Sequence, residues 1–329
     1  MRNNNASILA CFLTVVAGLS AGCEPTGEGR AFGTRYDRTS TYQPYKASLG
    51  VAVSPDGKYV AAAMMDHADV WDVQTGKLVQ RFAALLKKPF GIVDVLFYDD
   101  HTLITVGRDE AMRFWDVQTG RETKRITGDH CWFWPMAISP DGRTAVSLES
   151  PGRICVWDLE AGKLLREFPG PADGVQDVAF LDEKTVATSS NRDNEIVLRN
   201  ILTGEKLKTI PAETFSVAVS PDGKKLAFRK DNAVTVYNLA ANNIERVLTP
   251  QEYGIGHFSF AFSPDGTTLA AAELGGDVIL WNLATGEQIV EYHGPHGDGL
   301  DITFAPDGKS VFTAGHRDTT IRQWPVLEK

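Results

Sequence analysis

Residues 51–72, VAVSPDGKYVAAAMMDHADVWD, contain the pattern that decides the fold. A short strand-forming apolar run at 51–53, in which valine alternates with alanine, precedes the tetrapeptide Ser54-Pro55-Asp56-Gly57. A second apolar run at 59–63 follows the tetrapeptide. Proline presets φ near about −65°, aspartate caps its own backbone, and glycine accepts the positive φ that a tight turn requires. Two strand-forming runs joined by such a turn predict a β-hairpin.

The tetrapeptide recurs along the chain, and a second motif follows it, an apolar strand that ends in an aromatic residue and then an acid or amide. The further copies of the tetrapeptide are Ser139-Pro140-Asp141-Gly142, Ser220-Pro221-Asp222-Gly223, Ser263-Pro264-Asp265-Gly266 and Ala305-Pro306-Asp307-Gly308. The second motif is Val70-Trp71-Asp72, Phe114-Trp115-Asp116, Val156-Trp157-Asp158, Val236-Tyr237-Asn238 and Leu280-Trp281-Asn282, with degenerate copies at Leu198-Arg199-Asn200 and Gln323-Trp324-Pro325. Its central positions, 71, 115, 157, 199, 237, 281 and 324, lie 38 to 44 residues apart.

This spacing predicts seven repeated units. A glycine turn and one more strand follow most copies of the second motif, so each unit supplies four strands. A four-stranded sheet with two apolar faces cannot bury them alone, so neighbouring sheets stack and the stack closes into a ring. The sequence therefore predicts an all-β protein, a seven-bladed β-propeller of four-stranded antiparallel blades.

The second motif resembles the Trp-Asp signature of the WD40 repeat family, whose period is about 40 to 45 residues. The resemblance implies a scaffold that binds protein or peptide partners. It also implies a structural role in the turn between the second and third strands for aspartates six residues before the signature. These are Asp109, Asp193, Asp231 and Asp318.

Closure of the ring needs a strand from outside the seventh unit. The sequence ends at Lys329, a few residues after Trp324, so this unit has three strands. An N-terminal strand is expected to complete the last blade, and the segment 34–45, with its strand-forming Tyr and Thr, is predicted to supply it.

The N-terminus has the pattern of an export signal. An apolar run at 8–19 ends in small residues before Cys23 and resembles a bacterial lipoprotein signal, which implies acylation of Cys23 and a membrane anchor. Plain secretion after cleavage is the alternative. The predicted division is a signal peptide at 1–22, a flexible tether at 23–33 and the propeller at 34–329. Cys155 is interpreted as a small core residue, and its pairing with Cys131 stays open.

Composition favours a binding protein. Lys+Arg of 33 against Asp+Glu of 42 gives a net charge of −9 with no basic cluster, which argues against nucleic-acid partners. No Gly-x-Ser-x-Gly motif occurs, and the close pair His293 and His296 lacks further ligands, so no enzyme activity, cofactor or metal is predicted. Three alternatives remain: a small-molecule binder, a lactonase-like hydrolase with carboxylates converging on the ring axis, and a protein that resembles quinone-cofactor propellers.

Aromatic residues in the loops that lead into the first strand of each blade are the candidate partner contacts. Such loops gather on one rim of a propeller, and exposed aromatics are preferred anchors of interfaces. The candidates are Trp132, Trp134, Phe90, Tyr253 and His257. Phe133 is expected to be buried in its blade, and packing is the alternative role for one of the two tryptophans. A monomer is expected.

Overall fold

The computed structural model describes most of the chain beyond its N-terminus. The described residues are 29–32, 50–64, 67–83, 91–107, 110–128, 133, 135–149, 152–170, 175–190, 192–231, 233–250, 258–273, 276–294, 299–315 and 320–327. Throughout these ranges the regular elements are β-strands, and none of the described segments forms a helix that could span a membrane.

Seven antiparallel sheets of four strands each form the blades of a ring. Blade 1 holds β2 (Val51–Val53), β3 (Tyr59–Ala63), β4 (His67–Asp72) and β5 (Leu78–Ala83); blade 2 holds β6 (Ile92–Phe97), β7 (Thr102–Gly107), β8 (Ala111–Asp116) and β9 (Glu122–Thr127). Blade 3 holds β10 (Met136–Ile138), β11 (Thr144–Glu149), β12 (Arg153–Asp158) and β13 (Lys163–Pro169); blade 4 holds β14 (Asp177–Phe180), β15 (Thr185–Ser190), β16 (Glu195–Asn200) and β17 (Lys206–Pro211). Blade 5 holds β18 (Val217–Val219), β19 (Lys225–Lys230), β20 (Ala233–Asn238) and β21 (Asn243–Leu248); blade 6 holds β22 (Phe258–Phe262), β23 (Thr268–Glu273), β24 (Val278–Asn282) and β25 (Gln288–Tyr292). Blade 7 holds β26 (Gly299–Phe304), β27 (Ser310–Gly315), β28 (Ile321–Pro325) and β1 (Arg30–Phe32). The seven-bladed prediction is confirmed.

Contacts between the first strands of neighbouring blades run around the axis from β10 through β14, β18, β22, β26 and β2 to β6. The apolar core lies between the blades. Phe260 and Ile279 of blade 6, for example, share one buried cluster with Val236 of blade 5. Each sheet therefore covers its neighbour's face.

The Ser-Pro-Asp-Gly turn forms the hairpin between the first and second strands of a blade. In blade 1 the Ser54 hydroxyl donates to Asp56 Oδ1 at 2.6 Å, and the Gly57 amide donates to the Ser54 carbonyl at 2.8 Å. Gly57 has φ of +72°, which confirms its role in the turn. The same hydroxyl-to-carboxylate bond recurs at Ser139, Ser220 and Ser263.

Buried aromatics at the signature position tie the third strand to the second. The indole Nε1 of Trp115 donates to Thr105 Oγ1 at 2.9 Å, and that of Trp157 donates to Ser147 Oγ at 2.9 Å. Arg199 occupies this position in blade 4, is only 5% exposed, and donates to the Gly204 carbonyl at 2.6 Å. Blade 4 therefore keeps the same position in its third strand as the other blades, although an arginine replaces the aromatic residue there.

The acid after the aromatic residue holds the turn between the third and fourth strands. Asp72 Oδ1 accepts bonds from both the amide and the hydroxyl of Thr75, each at 2.7 Å, and Asp116 does the same with Thr119. The stretches Trp71–Lys77 and Trp115–Gly120, on which the resemblance to quinone-cofactor propellers rests, thus have a local structural role in this chain.

Strand β1 closes the ring by pairing with β28, as Arg30 faces Gln323 and Phe32 faces Ile321. Phe32 is 1% exposed, and its ring centroid lies 6.0 Å from that of Phe312. The Arg30 guanidinium donates to the carbonyls of Val73 and Gln74 at 3.0 Å each, which links the completed blade 7 to blade 1.

An N-terminal strand therefore closes the last blade, as predicted, but its predicted place at 34–45 was wrong. The strand Arg30–Phe32 lies within the segment 23–33 that was expected to be a flexible tether. Strand propensity favoured 34–45, whereas the pairing depends on an apolar side chain that fits beside Phe312, and Phe32 provides it. Residues 1–28 and 33–49 lie outside the described residues.

Candidate functional site

All first strands begin on the same side of the ring, which we call the top rim; the opposite side is the bottom rim. Because strands alternate in direction, third strands also begin at the top rim, and fourth strands end there. One position at this rim is equivalent in all seven blades, because it directly precedes a buried residue of the first strand. Its occupants are Gly50, Asp94, Pro135, Asp177, Ser216, Ser259 and Asp301.

Asp177 of blade 4 binds the neighbouring blade 5. Its Oδ2 accepts bonds from the Ser216 hydroxyl and the Val217 amide, both at 3.0 Å. Its Oδ1 accepts the Val178 amide of its own strand at 2.8 Å. Both oxygens are therefore engaged in holding the starts of β14 and β18 together.

Asp301 of blade 7 binds two neighbouring blades. Its Oδ2 accepts the Val51 amide of blade 1 at 2.9 Å, and its Oδ1 accepts the Ser259 hydroxyl of blade 6 at 3.1 Å. The Ile302 amide also donates to Oδ1 at 2.9 Å. This carboxylate joins β22, β26 and β2 where the chain's two ends meet in the ring.

Asp94 of blade 2 lies against the backbone of blade 1. Its Oδ1 accepts the Val95 amide at 2.8 Å, and a side chain at Gly50 would clash with that oxygen. Glycine at position 50 therefore makes room for the carboxylate.

Burial of these carboxylates between blades disfavours their charged form. Desolvation raises the pKa of Asp177 and that of Asp301 to about 6, against the hydrogen bonds that lower each of them. For Asp94, burial and then the negative charge of Asp301 raise the pKa well above its usual value. The top of the axis thus carries three acids that take up protons more readily than exposed aspartates.

A second group of ionisable side chains lies on the top rim at the outer edge of blade 6. Asp277, Glu291 and His293 each offer one ligand atom, and these atoms lie within 4.8 Å of one another. His293 was expected to lack further metal ligands beside His296, and His296 lies outside the described residues. The strand pairing between β24 and β25 brings Asp277 to His293.

The predicted partner contacts Phe90, Trp132, Trp134, Tyr253 and His257 all lie outside the described residues. Their assignment stays a prediction. Phe133, between the two tryptophans, is fully buried and its ring centroid lies 4.9 Å from that of Trp157, so its predicted burial is confirmed.

Two of the four predicted turn aspartates are described. The Ser190 hydroxyl bonds to Asp193 Oδ2 at 3.2 Å, and Asp231 has φ of +48° in the turn before β20. Asp109 and Asp318 lie outside the described residues. Cys155 is buried in the core beside Trp157, and Cys131 lies outside the described residues.

Sequence analysis did not name the axis carboxylates. The available signal is a repeated pattern at the start of three first strands, Asp94-Val95-Leu96-Phe97, Asp177-Val178-Ala179-Phe180 and Asp301-Ile302-Thr303-Phe304. In one sequence this pattern is typical of any half-buried strand. Only the ring brings the three acids to a common axis.

Comparison with known families gives a direct match for the last two units. The family described as "WD domain, G-beta repeat" matches residues 246–282 and 286–325. These two stretches are similar to WD40 repeats. Each matched stretch begins in or just before the fourth strand of one blade and ends with the third strand of the next. Each matched repeat therefore starts one strand earlier than the blade to which its other three strands belong. Because of this offset, the last blade needs an N-terminal strand to complete it.

Curated relatives match large parts of this propeller. Autophagy-related protein 16 of Arabidopsis thaliana is 28% identical over 71% of the chain, and the match covers 47% of that protein. WD repeat-containing protein SL1-17 of Schistosoma mansoni is 31% identical over 52% of the chain and 57% of its own length. Protein groucho of Drosophila melanogaster is 28% identical over 56% of the chain and 26% of its own length. The matches thus span from about a quarter to somewhat over half of these relatives.

The axis carboxylates predict a pH dependence of stability with a defined sign. Because the folded-state pKa of Asp177 and of Asp301 is raised, each favours the folded state fully below about pH 4 and loses this contribution as the pH rises through about 6. Asp177→Asn should therefore gain stability relative to the wild type between pH 4 and 7, on the order of 2 kcal/mol. Urea denaturation at each pH measures this difference.

Asp141→Asn is the matched control with the opposite sign. The Ser139 hydroxyl lowers the pKa of Asp141, so this group stabilises the fold above about pH 4 and loses its effect as the pH falls. The control should lose stability relative to the wild type as the pH rises from 3 to 5. A stability difference for Asp177→Asn that stays constant from pH 4 to 7 would contradict the assignment.

Proposed function

We propose that the protein is a non-catalytic scaffold that presents the top rim of its WD40 propeller to a protein or peptide partner. One observation carries this proposal. In the described residues, the fourth strand of each blade ends and the first strand of the next begins on the top rim, and the segments between these strand ends differ in length and sequence. They comprise residues 84–91, 128–135, 170–176, 212–216, 249–257 and 293–298. A rigid ring that carries variable loops on one side is suited to binding.

Two of the three carboxylates at the axis, Asp177 and Asp301, favour this role over that of a lactonase-like hydrolase. Both oxygens of Asp177 and of Asp301 already accept hydrogen bonds from backbone amides or serine hydroxyls. A general base needs an oxygen within reach of a substrate proton. The similarity to WD40-repeat proteins also supports a binding role.

Export and lipid anchoring form the second part of the proposal. The apolar run at 8–19 and the small residues before Cys23 support export and acylation of that cysteine. Only residues 24–29 would then separate the anchor from β1, a reach of roughly 20 Å when fully extended. The anchor would hold the propeller close to the membrane surface.

The direction of β1 gives this anchored protein an orientation. Phe32 pairs with Ile321, where β28 begins at the top rim, so Arg30 enters the strand from the bottom rim. A short tether that arrives at the bottom rim would leave the top rim facing away from the membrane. This orientation fits a surface that captures partners from the surrounding compartment.

Replacement of both Trp132 and Trp134 by alanine tests the binding surface. If these rings are partner contacts, capture of the partner from the source membrane should be lost with little change in melting temperature, since interface anchors are worth about 2 kcal/mol or more each. Tyr98→Ala, at an exposed tyrosine on the bottom rim, is the control and should keep capture.

If the tryptophans pack in the core, the double variant should instead lose about 3–5 kcal/mol of stability for each buried ring. A large loss in melting temperature would therefore contradict the assignment of these residues. Undiminished capture by a stable variant would place the binding surface elsewhere.

The anchor is tested separately with Cys23→Ser. The wild type should incorporate labelled fatty acid and enter the detergent phase, whereas the variant should do neither. Incorporation of label by the serine variant would contradict acylation at Cys23. Export without label in the wild type would favour plain secretion after cleavage.

A further inference from the structure

The outer edge of blade 6 carries a group of ionisable side chains, one of which, His293, begins the connection 293–298. Asp277 directly precedes β24, and Glu291 and His293 lie at the end of β25. Because Ile279 pairs with Glu291 and Val278 pairs with Tyr292, Asp277 stands opposite His293. Antiparallel pairing therefore places all three side chains on one face of the sheet.

One distance within this group is close to that between neighbouring ligand atoms of a tetrahedral zinc ion. His293 Nδ1 lies 3.2 Å from Asp277 Oδ1, and the three ligand atoms lie within 4.8 Å of one another. Zinc bonds to nitrogen and oxygen of about 2.0–2.1 Å place neighbouring ligand atoms about 3.4 Å apart. The pair His293 and Asp277 is close to this separation, and Glu291 supplies the third ligand atom of the group.

Other blades show how the chain usually neutralises acids on its outer strands. In blade 1 Arg81 binds both oxygens of Asp69 at 2.7 Å. In blade 3 Arg153 binds Glu167 at 3.0 Å, and in blade 2 Arg113 and Arg125 both bind Glu122.

Blade 6 departs from this pattern. Among the described residues, neither Asp277 nor Glu291 contacts a lysine or arginine, and their side-chain partners are His293 and Gln288. Two carboxylates in this position leave local negative charge that a cation would balance. The imidazole beside them makes the set different from an ordinary acidic patch.

We propose that Asp277, Glu291 and His293 bind a zinc ion on the top rim. Imidazole nitrogen favours zinc and other transition metals over calcium and magnesium, which prefer oxygen ligands alone. The Gln288 amide donates to Glu291 Oε2 at 2.9 Å and so orients that carboxylate, as outer partners do in metal sites. Three protein ligands leave a fourth position for water or for a side chain of a bound partner.

The site exists only in the folded chain, because β24 and β25 bring together residues that are 16 apart in sequence. Zinc should therefore raise the melting temperature as its concentration rises above the dissociation constant. This readout does not depend on the identity of a partner, so failure of the zinc site leaves the proposed scaffold function intact.

Titration of the metal-free mature protein with zinc chloride, monitored by calorimetry, tests the proposal. We expect His293→Gln and Asp277→Asn each to weaken binding of one zinc equivalent at least tenfold and to reduce the rise in melting temperature. These side chains are partly or largely exposed, so both variants should fold. His101→Gln, at an exposed histidine on the bottom rim, is the control and should bind like the wild type.

Two results would overturn the proposal. One is equal zinc binding by the wild type and both variants, which would place any zinc elsewhere on the chain. The other is displacement of zinc by millimolar calcium, which would show a site selective for oxygen ligands.

Discussion

Every blade of this protein has two apolar faces, and the closed ring is the arrangement that covers both faces of all seven. Val60 and Phe312, both fully buried, belong to one cluster that spans the junction of blades 1 and 7. This junction depends on β1, because Phe32 completes the same cluster from the N-terminal end of the propeller. Burial of one such aromatic side chain contributes about 1.5–3 kcal/mol. Without β1 the backbone of β28 would be an open edge, and open edges promote aggregation.

Closure also positions the parts of the molecule that we assign to function. Asp301 accepts the Val51 amide across the same junction, so the pairing of β1 and the hydrogen bonds at the axis stabilise one contact between the two ends of the ring. The ring sets the direction of β1 and with it the side from which a membrane tether would arrive. It also places the strand ends that flank the connections between blades on the top rim. The proposed scaffold surface and the proposed zinc site thus rest on the same rigid frame and share His293.

The sequence predicted the features that repeat and missed those that depend on one long-range contact. The turn glycine represented by Gly57 and the aromatic residue represented by Trp115 recur at a regular spacing. Each forms its hydrogen bond with a residue close in sequence, so the number of blades could be predicted correctly. The closing strand has no repeated motif, and strand propensity alone favoured 34–45 over Arg30–Phe32. Asp177 reaches residues about 40 positions away, and its role appears only when blades 4 and 5 are adjacent. His293 and Asp277 are likewise joined only by strand pairing.

The most direct test of ring closure uses the register of β1 against β28. Ala31 stands opposite Arg322, and directly paired residues of antiparallel strands are close enough for a disulfide. The variant with Ala31→Cys and Arg322→Cys should form a disulfide between these positions under oxidising conditions, detectable by mass spectrometry of the digested protein, and should melt at a higher temperature. The variant with Thr39→Cys and Arg322→Cys should not form this cross-link. A cross-link from position 39 and none from position 31 would contradict closure by Arg30–Phe32.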